Sequence, residues 1–306
     1  MMELSVTSFD FPGGVPNGET MLSFTKAELC WAALMVGKPN KAAATAHGTY
    51  SKYESLFRWN MVLSALDFVS TPDKAVNSVL FDALDPTEKG GINFYLGMIF
   101  LKLCAQKLLD IPWLIHLNWM KSNHALTLLY GKSSPDLLGY DVAQARWAVF
   151  EAKGRNAGYS AAILGKAKNQ ADRVIKVDGS LCSLHVGSLL HRNDAKQLEF
   201  VWQDPSLARE DPIELETDRE TWLEYYAPIY DLYLQQGKNR RAFRERMGFN
   251  ISIHPFARAF VDALKEDRDY SNERGSLQRW SAERSKRPIG IWNGDGIGIW
   301  INEDWK

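Results

Sequence analysis

With 306 residues, 45% of them hydrophobic and 24% charged, the chain has apolar surface for one large core or two smaller ones, which excludes a disordered or fibrous sequence. Its 36 Lys and Arg against 37 Asp and Glu leave a net charge of -1, so no overall field draws it to nucleic acid or an anionic membrane. Any basic surface is local. Cys30, Cys104 and Cys182 are scattered and form no CxxC pair, which argues against a disulfide framework or a zinc site and fits a reducing compartment.

The expected location is cytoplasmic, without membrane contact. The N-terminus shows no basic region leading into an apolar core and a small-residue cleavage site. The most apolar stretch, "NFYLGMIFLKLCAQKLLDIPWLIHL", is interrupted by Lys102, Lys107, Asp110 and Pro112, short of the ~20 apolar residues of a membrane span. It reads as a core helix and its exit.

In chain order, residues 1–22, with "FPGGVPNGET", carry so many turn formers that a surface arm is expected. From Thr25 to Leu117 apolar residues recur at three and four, the helical spacing. In "STPDKAVNSVLFDAL", Ser70 or Thr71 is placed to cap a helix with Pro72 in its first turn. The pattern then changes to short apolar segments bounded by turn residues, as strands are: "HALTLLYG", "PDLLGYD", "RWAVFEAKG", "LCSLHVGSLLH" and "KQLEFVWQDP". One helix, about Ser160 to Val177, separates the third from the fourth. Further helices are expected near 219–236 and 254–266, and "PIGIWNGDGIGIWI" reads as a closing β-hairpin about Asn-Gly-Asp-Gly. The fold class is therefore α/β (α+β), a mixed sheet with a crossover, flanked by helices. The expected organisation is a helical N-terminal region over 1–94, a core over 95–205, and a helical C-terminal region over 206–306 ending in a hairpin.

The segment "WAVFEAKGR" raises a chemical question, because a buried strand runs into Glu151 and Lys153. If "PDLLGYD" and "RWAVFEAKG" are hairpin arms joined by "VAQA", pairing Asp141 with Arg146 sets Tyr140 opposite Trp147, Leu138 opposite Val149 and Asp136 opposite Glu151. Facing side chains sit ~5 Å apart at Cβ and alternate residues share a face, so Asp136, Glu151 and Lys153 cluster at one end. Apolar flanks on both faces predict a sheet covered on each side. Two carboxylates this close raise a pKa unless a cation lies between them, and hard oxygen ligands suit magnesium or manganese. Lys153 is then placed to orient or deprotonate a water, or to neutralise a phosphorane. Asp141 is the rival for Asp136; it points to the other face unless a bulge intervenes.

Pro135-Asp136, a gap, and Glu151-Ala152-Lys153 resemble the signature of the PD-(D/E)xK nuclease superfamily, which includes restriction endonucleases and phage-defence nucleases. The resemblance implies a restriction-endonuclease-like mixed sheet. It makes Asp136 and Glu151 metal ligands, adds the Ala152 carbonyl to the metal's shell, and assigns Lys153 to the catalytic water. Many members carry a glutamine on the following helix; here Gln170 lies at the edge of the apolar face, with Lys166 and Arg173 alongside as candidate substrate contacts. Many also add a glutamate from a helix before the first strand. "FYLGMIFLKLCAQKLL" offers none, which bears on a second metal more than on the first.

Other features carry less. "KNRRAFRER" suits either a phosphate backbone or a solvated helix end, and Trp280 reads as a packing residue. His116, His185 and His191 show no ligand spacing, "NGDG" reads as a turn, and no G-x-S-x-G elbow is present. The expected function is Mg2+- or Mn2+-dependent hydrolysis of DNA, in phage defence or restriction by family analogy, with a protein partner or a homo-oligomer compatible with it. The alternative is a catalytically silent nuclease-like fold serving as a nucleic-acid-binding or assembly module.

Overall fold

The computed structural model describes residues 1–13, 17–36, 49–71, 73–117, 134–204, 213–286 and 291–301. Its centre is a seven-stranded mixed sheet. The strands are β1 (Met2–Phe9), β2 (Gly18–Phe24), β3 (Leu114–His116), β4 (Leu137–Asp141), β5 (Arg146–Gly154), β8 (His185–Arg192) and β9 (Leu198–Gln203). Their spatial order is β2-β1-β9-β8-β5-β4-β3. β5 and β8 run parallel, as do β1 and β9, and the other neighbours are antiparallel. A small second sheet joins β10 (Ile213–Leu215), β6 (Val174–Val177) and β7 (Ser180–Leu181).

The helices are α1 (Lys26–Met35), α2 (Thr49–Ala65), α3 (Val79–Ala83), α4 (Pro86–Leu109), α5 (Ala161–Ala171), α6 (Arg219–Lys238), α7 (Arg240–Met247), α8 (Pro255–Lys265) and α9 (Ser271–Lys286). Asp85 starts α4 through a capping box with Glu88, and Asp110 ends it in the left-handed region at φ 55°. Among the described residues α4 alone is long and apolar enough to cross a membrane, and most of it is buried in the fold as a core helix.

Two glycines fix how the layers close on β5 and β8. A Cβ on Gly154 would stand 1.8 Å from the Asn93 carbonyl oxygen, so α4 lies directly on that face of the sheet. A Cβ on Gly187 would stand 2.4 Å from the Lys168 backbone nitrogen, so α5 lies on the other. Gly187 is in register with Glu151. Because side chains alternate, Glu151 and Lys153 share the α5 face. Further along it, Tyr140 and Trp147 pack on Trp222 of α6. Both faces are covered, as the apolar flanks predicted.

Several expectations are corrected. The surface arm expected over residues 1–22 gives way to strands at Met2–Phe9 and Gly18–Phe24: β1 alternates strictly, burying Met2, Leu4 and Val6, and joins β9 inside the sheet. The helix start at Ser70 and Thr71 is displaced to Ser78, which caps α3 through the Phe81 N–H, while Lys74, Val76 and Asn77 make β-bridges; Pro72 lies outside the described residues. The helix expected to run to Val177 ends at Ala171, and "VIKV" instead forms β6, where its β-branched residues suit a pleated surface. "IPWLIHL" supplies the edge strand β3, while "HALTLLYG" lies outside the described residues.

The closing hairpin also differs. β12 (Ile297–Ile301) pairs with β11 (Phe249–Ile253), and among the described residues one β-bridge, Trp292 to Gly298, forms across the turn. "NISI" offers β12 an alternating partner that buries Ile251 and Ile253 opposite Ile299 and Ile297. The Asn-Gly-Asp-Gly turn is buried, with Asn293 and Asp295 inside.

Candidate active site

The hairpin register predicted from the sequence is the one observed: Leu137 faces Phe150, Leu138 faces Val149, Tyr140 faces Trp147 and Asp141 faces Arg146. The ladder ends at the Leu137–Phe150 pair. Asp136 stands one residue beyond it, and its Oδ2 accepts the Ala152 backbone N–H at 3.1 Å. The next residue to exchange ladder bonds with Ala152 would be Pro135, which has no N–H to donate. That proline therefore cannot occupy the Ala152 carbonyl from the β4 side.

Glu151 is fully buried. Its Oε1 takes the Lys153 ammonium, whose side chain stays 33% exposed. Ser188 holds the strand itself, donating its hydroxyl to the Glu151 carbonyl at 2.9 Å. Burial first, then the negative Asp136 carboxylate, and a hydrogen bond from the protonated carboxyl to Asp136 push the Glu151 carboxyl up to about 8 against the pull of Lys153. A carboxyl in that state takes up a proton or a cation at neutral pH.

Gln170, on the last turn of α5, is half-buried and donates its amide to the Ser134 carbonyl at 3.4 Å, two residues before Asp136. Sequence reasoning placed it beside the site, and the fold ties it to the segment that presents Asp136. Lys166 is exposed on α5 and Arg173 is half-buried past its end. Asp141 is no rival, since the strand runs unbroken and its Oδ1 accepts the Gln144 N–H at 3.1 Å in the turn at the far end of the hairpin. α4 covers the opposite sheet face, so the missing helix glutamate has no counterpart there.

One cluster escaped the sequence. Lys168 is buried, pairs with Asp172 and donates to the His185 carbonyl at 2.6 Å, while the His185 N–H donates to Asp204 at 2.6 Å. His185 is in register with Val149, one side chain before Glu151 on the same face. The sequence does hold a signal: Lys168 falls four after Leu164 and three before Ala171, on the apolar face of α5, whereas Lys166 does not. His185 is a satisfied buried histidine, its Nε2 2.9 Å from the Val174 carbonyl. Trp280 is a packing residue, stacked on His254 at 4.1 Å. "RRAFRER" is a largely exposed helix, with Arg241 paired to Glu245.

Among the described residues no group of three or more His, Cys, Asp and Glu gathers to hold a metal. The Asp136–Glu151 pair, with a backbone carbonyl beside it, is a smaller oxygen-donor set. The buried Glu151 carboxyl beside the Asp136 carboxylate fits a hard divalent cation. No family model matches the chain, and neither the curated proteins nor the solved structures contain a significant match.

Proposed function

We propose that the chain is a metal-dependent nuclease hydrolysing DNA phosphodiester bonds, with a restriction-endonuclease-like core of the PD-(D/E)xK type. The observation that carries this reading is Glu151, a fully buried carboxyl with a second carboxylate, Asp136, close enough to raise its pKa and to accept a hydrogen bond from its protonated form. Two carboxyls sharing one proton in a buried site hold a place that a divalent cation can take. Mg2+ or Mn2+ held by Asp136, Glu151 and the Ala152 carbonyl would supply Lewis acidity toward the phosphate and acidify bound water. Lys153 presents its ammonium on the same face, to orient the attacking water and offset charge on the phosphorane. Gln170 braces the Ser134–Asp136 segment from α5. Lys166 and Arg173 are the candidate phosphate contacts, and a role in phage defence or restriction follows by family analogy alone.

A second reading, a catalytically silent module that binds nucleic acid or assembles with a partner, is favoured by the Glu151–Lys153 ion pair, which lets the cluster serve as an internal bridge. Cleavage of plasmid and single-stranded DNA with Mg2+ or Mn2+ separates the two. The nuclease reading expects cutting by the wild type and loss of at least about 100-fold in Glu151→Ala and Lys153→Ala, the scale of an electrostatic or acid–base contribution. Equal inactivity of all three proteins, with no metal-dependent stabilisation, would leave the module.

A further inference from the structure

A cavity of about 370 Å³ lies where the end of α4, the β4–β5 turn and α9 meet, lined by residues that include Gln106, Pro112, Ala143, Ser281, Arg284 and Gly294. That volume is within the range of ~300–1,000 Å³ usual for small-molecule sites. The walls are preformed. Gly294 donates its N–H to Gln106 Oε1 at 3.0 Å, and the Gln106 amide donates to Asn293 Oδ1 at 2.9 Å. A Cβ on Gly294 would stand 2.9 Å from Pro112 and 3.3 Å from the Ser281 hydroxyl, so only glycine leaves this wall its shape.

Arg284 is the unexplained group. It is half-buried, and its Nε is shielded from solvent with no hydrogen-bond partner among the described residues. Burial lowers its pKa, while Asp295 and Glu28 raise it from a distance. Neither carboxylate is available to it: Asp295 accepts from Trp31, Tyr225 and Ile297, and Glu28 from Thr25 and Lys107. A guanidinium offers five donors in a planar fork that matches a carboxylate or phosphate in two parallel bonds.

We propose that this cavity binds a small oxyanion, a carboxylate or a phosphate monoester, on the Arg284 fork. Ser281 also lines the cavity, and Asp110 offers an acceptor to a donor on the same ligand. The site lies at the turn end of the β4–β5 hairpin, while Asp136 and Glu151 lie at the other end, so it stands independently of the nuclease reading.

The test is thermal shift and calorimetric titration with inorganic phosphate and with acetate, at constant ionic strength set by chloride, on the wild type, Arg284→Gln, Arg284→Lys, Ala143→Trp and Glu151→Ala. The expected result is saturable binding of at least one anion by the wild type and Glu151→Ala. It weakens ten-fold or more in Arg284→Gln and in Ala143→Trp, which fills the mouth from an exposed turn position. Arg284→Lys keeps the charge and loses the fork, so it binds at an intermediate strength and carries the test if Arg284→Gln does not fold. No saturable binding of either anion by the wild type overturns the proposal, as does binding that survives Arg284→Gln or Ala143→Trp unchanged.

Discussion

The Ala152 N–H donates to the Asp136 carboxylate at 3.1 Å, just past the last ladder pair of β4 and β5. The strand that would have taken this donor has turned away, and a side-chain carboxylate replaces it. The residue that would have donated in return is Pro135. Converting Pro135 to Ala restores an N–H opposite the Ala152 carbonyl. A ladder bond there is worth about 1 kcal/mol to the metal-free protein and is given up when the carbonyl turns to a metal, so Mn2+ affinity read by titration should fall roughly five-fold while the metal-free protein gains up to a similar increment of stability. Unchanged affinity would remove the Ala152 carbonyl from the metal's shell.

Metal binding should stabilise the fold through the two carboxylates. At a free Mn2+ concentration about 100 times its Kd, mass action gives about 2.7 kcal/mol, visible as a rise in Tm. Asp136→Asn should abolish that rise. A rise that persists in the variant would place the ion elsewhere.

Glu151 makes a signed prediction about pH. Its carboxyl lies at about 8 in the fold against an ordinary 4.5, so between these values the native state holds a proton that the unfolded chain has released. The resulting stability is present at low pH and is lost as pH rises toward about 8. From about pH 5.5 to about pH 8 the loss is on the order of 3 kcal/mol at 1.36 kcal/mol per unit. Glu151→Gln, which cannot ionise, should lack this component, so urea midpoints of the two proteins without metal should diverge across the window in that direction. Parallel profiles would mean that Glu151 is already ionised in the fold.

Lys102 and Asp295 are both fully buried, and with Tyr225 and Trp31 they join α4, the C-terminal turn, α6 and α1. The Lys102 ammonium donates to the Pro112 carbonyl at 2.7 Å and lies 4.2 Å over the Trp31 ring. Removing one charge strands the other, so Asp295→Asn and Lys102→Met should each cost about 3–5 kcal/mol. The double variant should cost less than the sum. Additive losses from denaturant unfolding would show that the two groups are not coupled.

At Gly154 any side chain meets the α4 backbone, 1.8 Å from the Asn93 carbonyl oxygen. Gly154→Ala must push α4 off β5, so its cost should reach or exceed the ~1–3 kcal/mol usual for overpacking. A variant with wild-type stability would show that the helix gives way freely.

Much of the candidate site was legible because it is local. β4 and β5 are joined by a four-residue turn, so fixing one pair fixes every other, and period-two alternation then assigns Glu151 and Lys153 to one face. Gln170 is a candidate through the family resemblance, and the helical period within a single element sets it at the edge of the apolar face. Lys168 carries the same signal, but a charge on an apolar face needs partners to be buried; Asp172 at the helix cap is one, and the other, the His185 carbonyl, comes from a strand that the helix alone does not specify.

The sequence by itself determined the alternation of β4, β5 and β9, the register of the β4–β5 hairpin, and the placing of Glu151 and Lys153 on one face at a strand end. Only the tertiary structure decided that β1 pairs with β9 across 194 residues, that β11 rather than the near arm takes β12, and that the Asn-Gly-Asp-Gly turn enters the core to meet Tyr225, which Lys102 also bonds. An apolar alternating strand records that one face will be buried. It does not record which strand will lie beside it, because backbone hydrogen bonds are alike along every edge and the choice rests on how the whole chain packs.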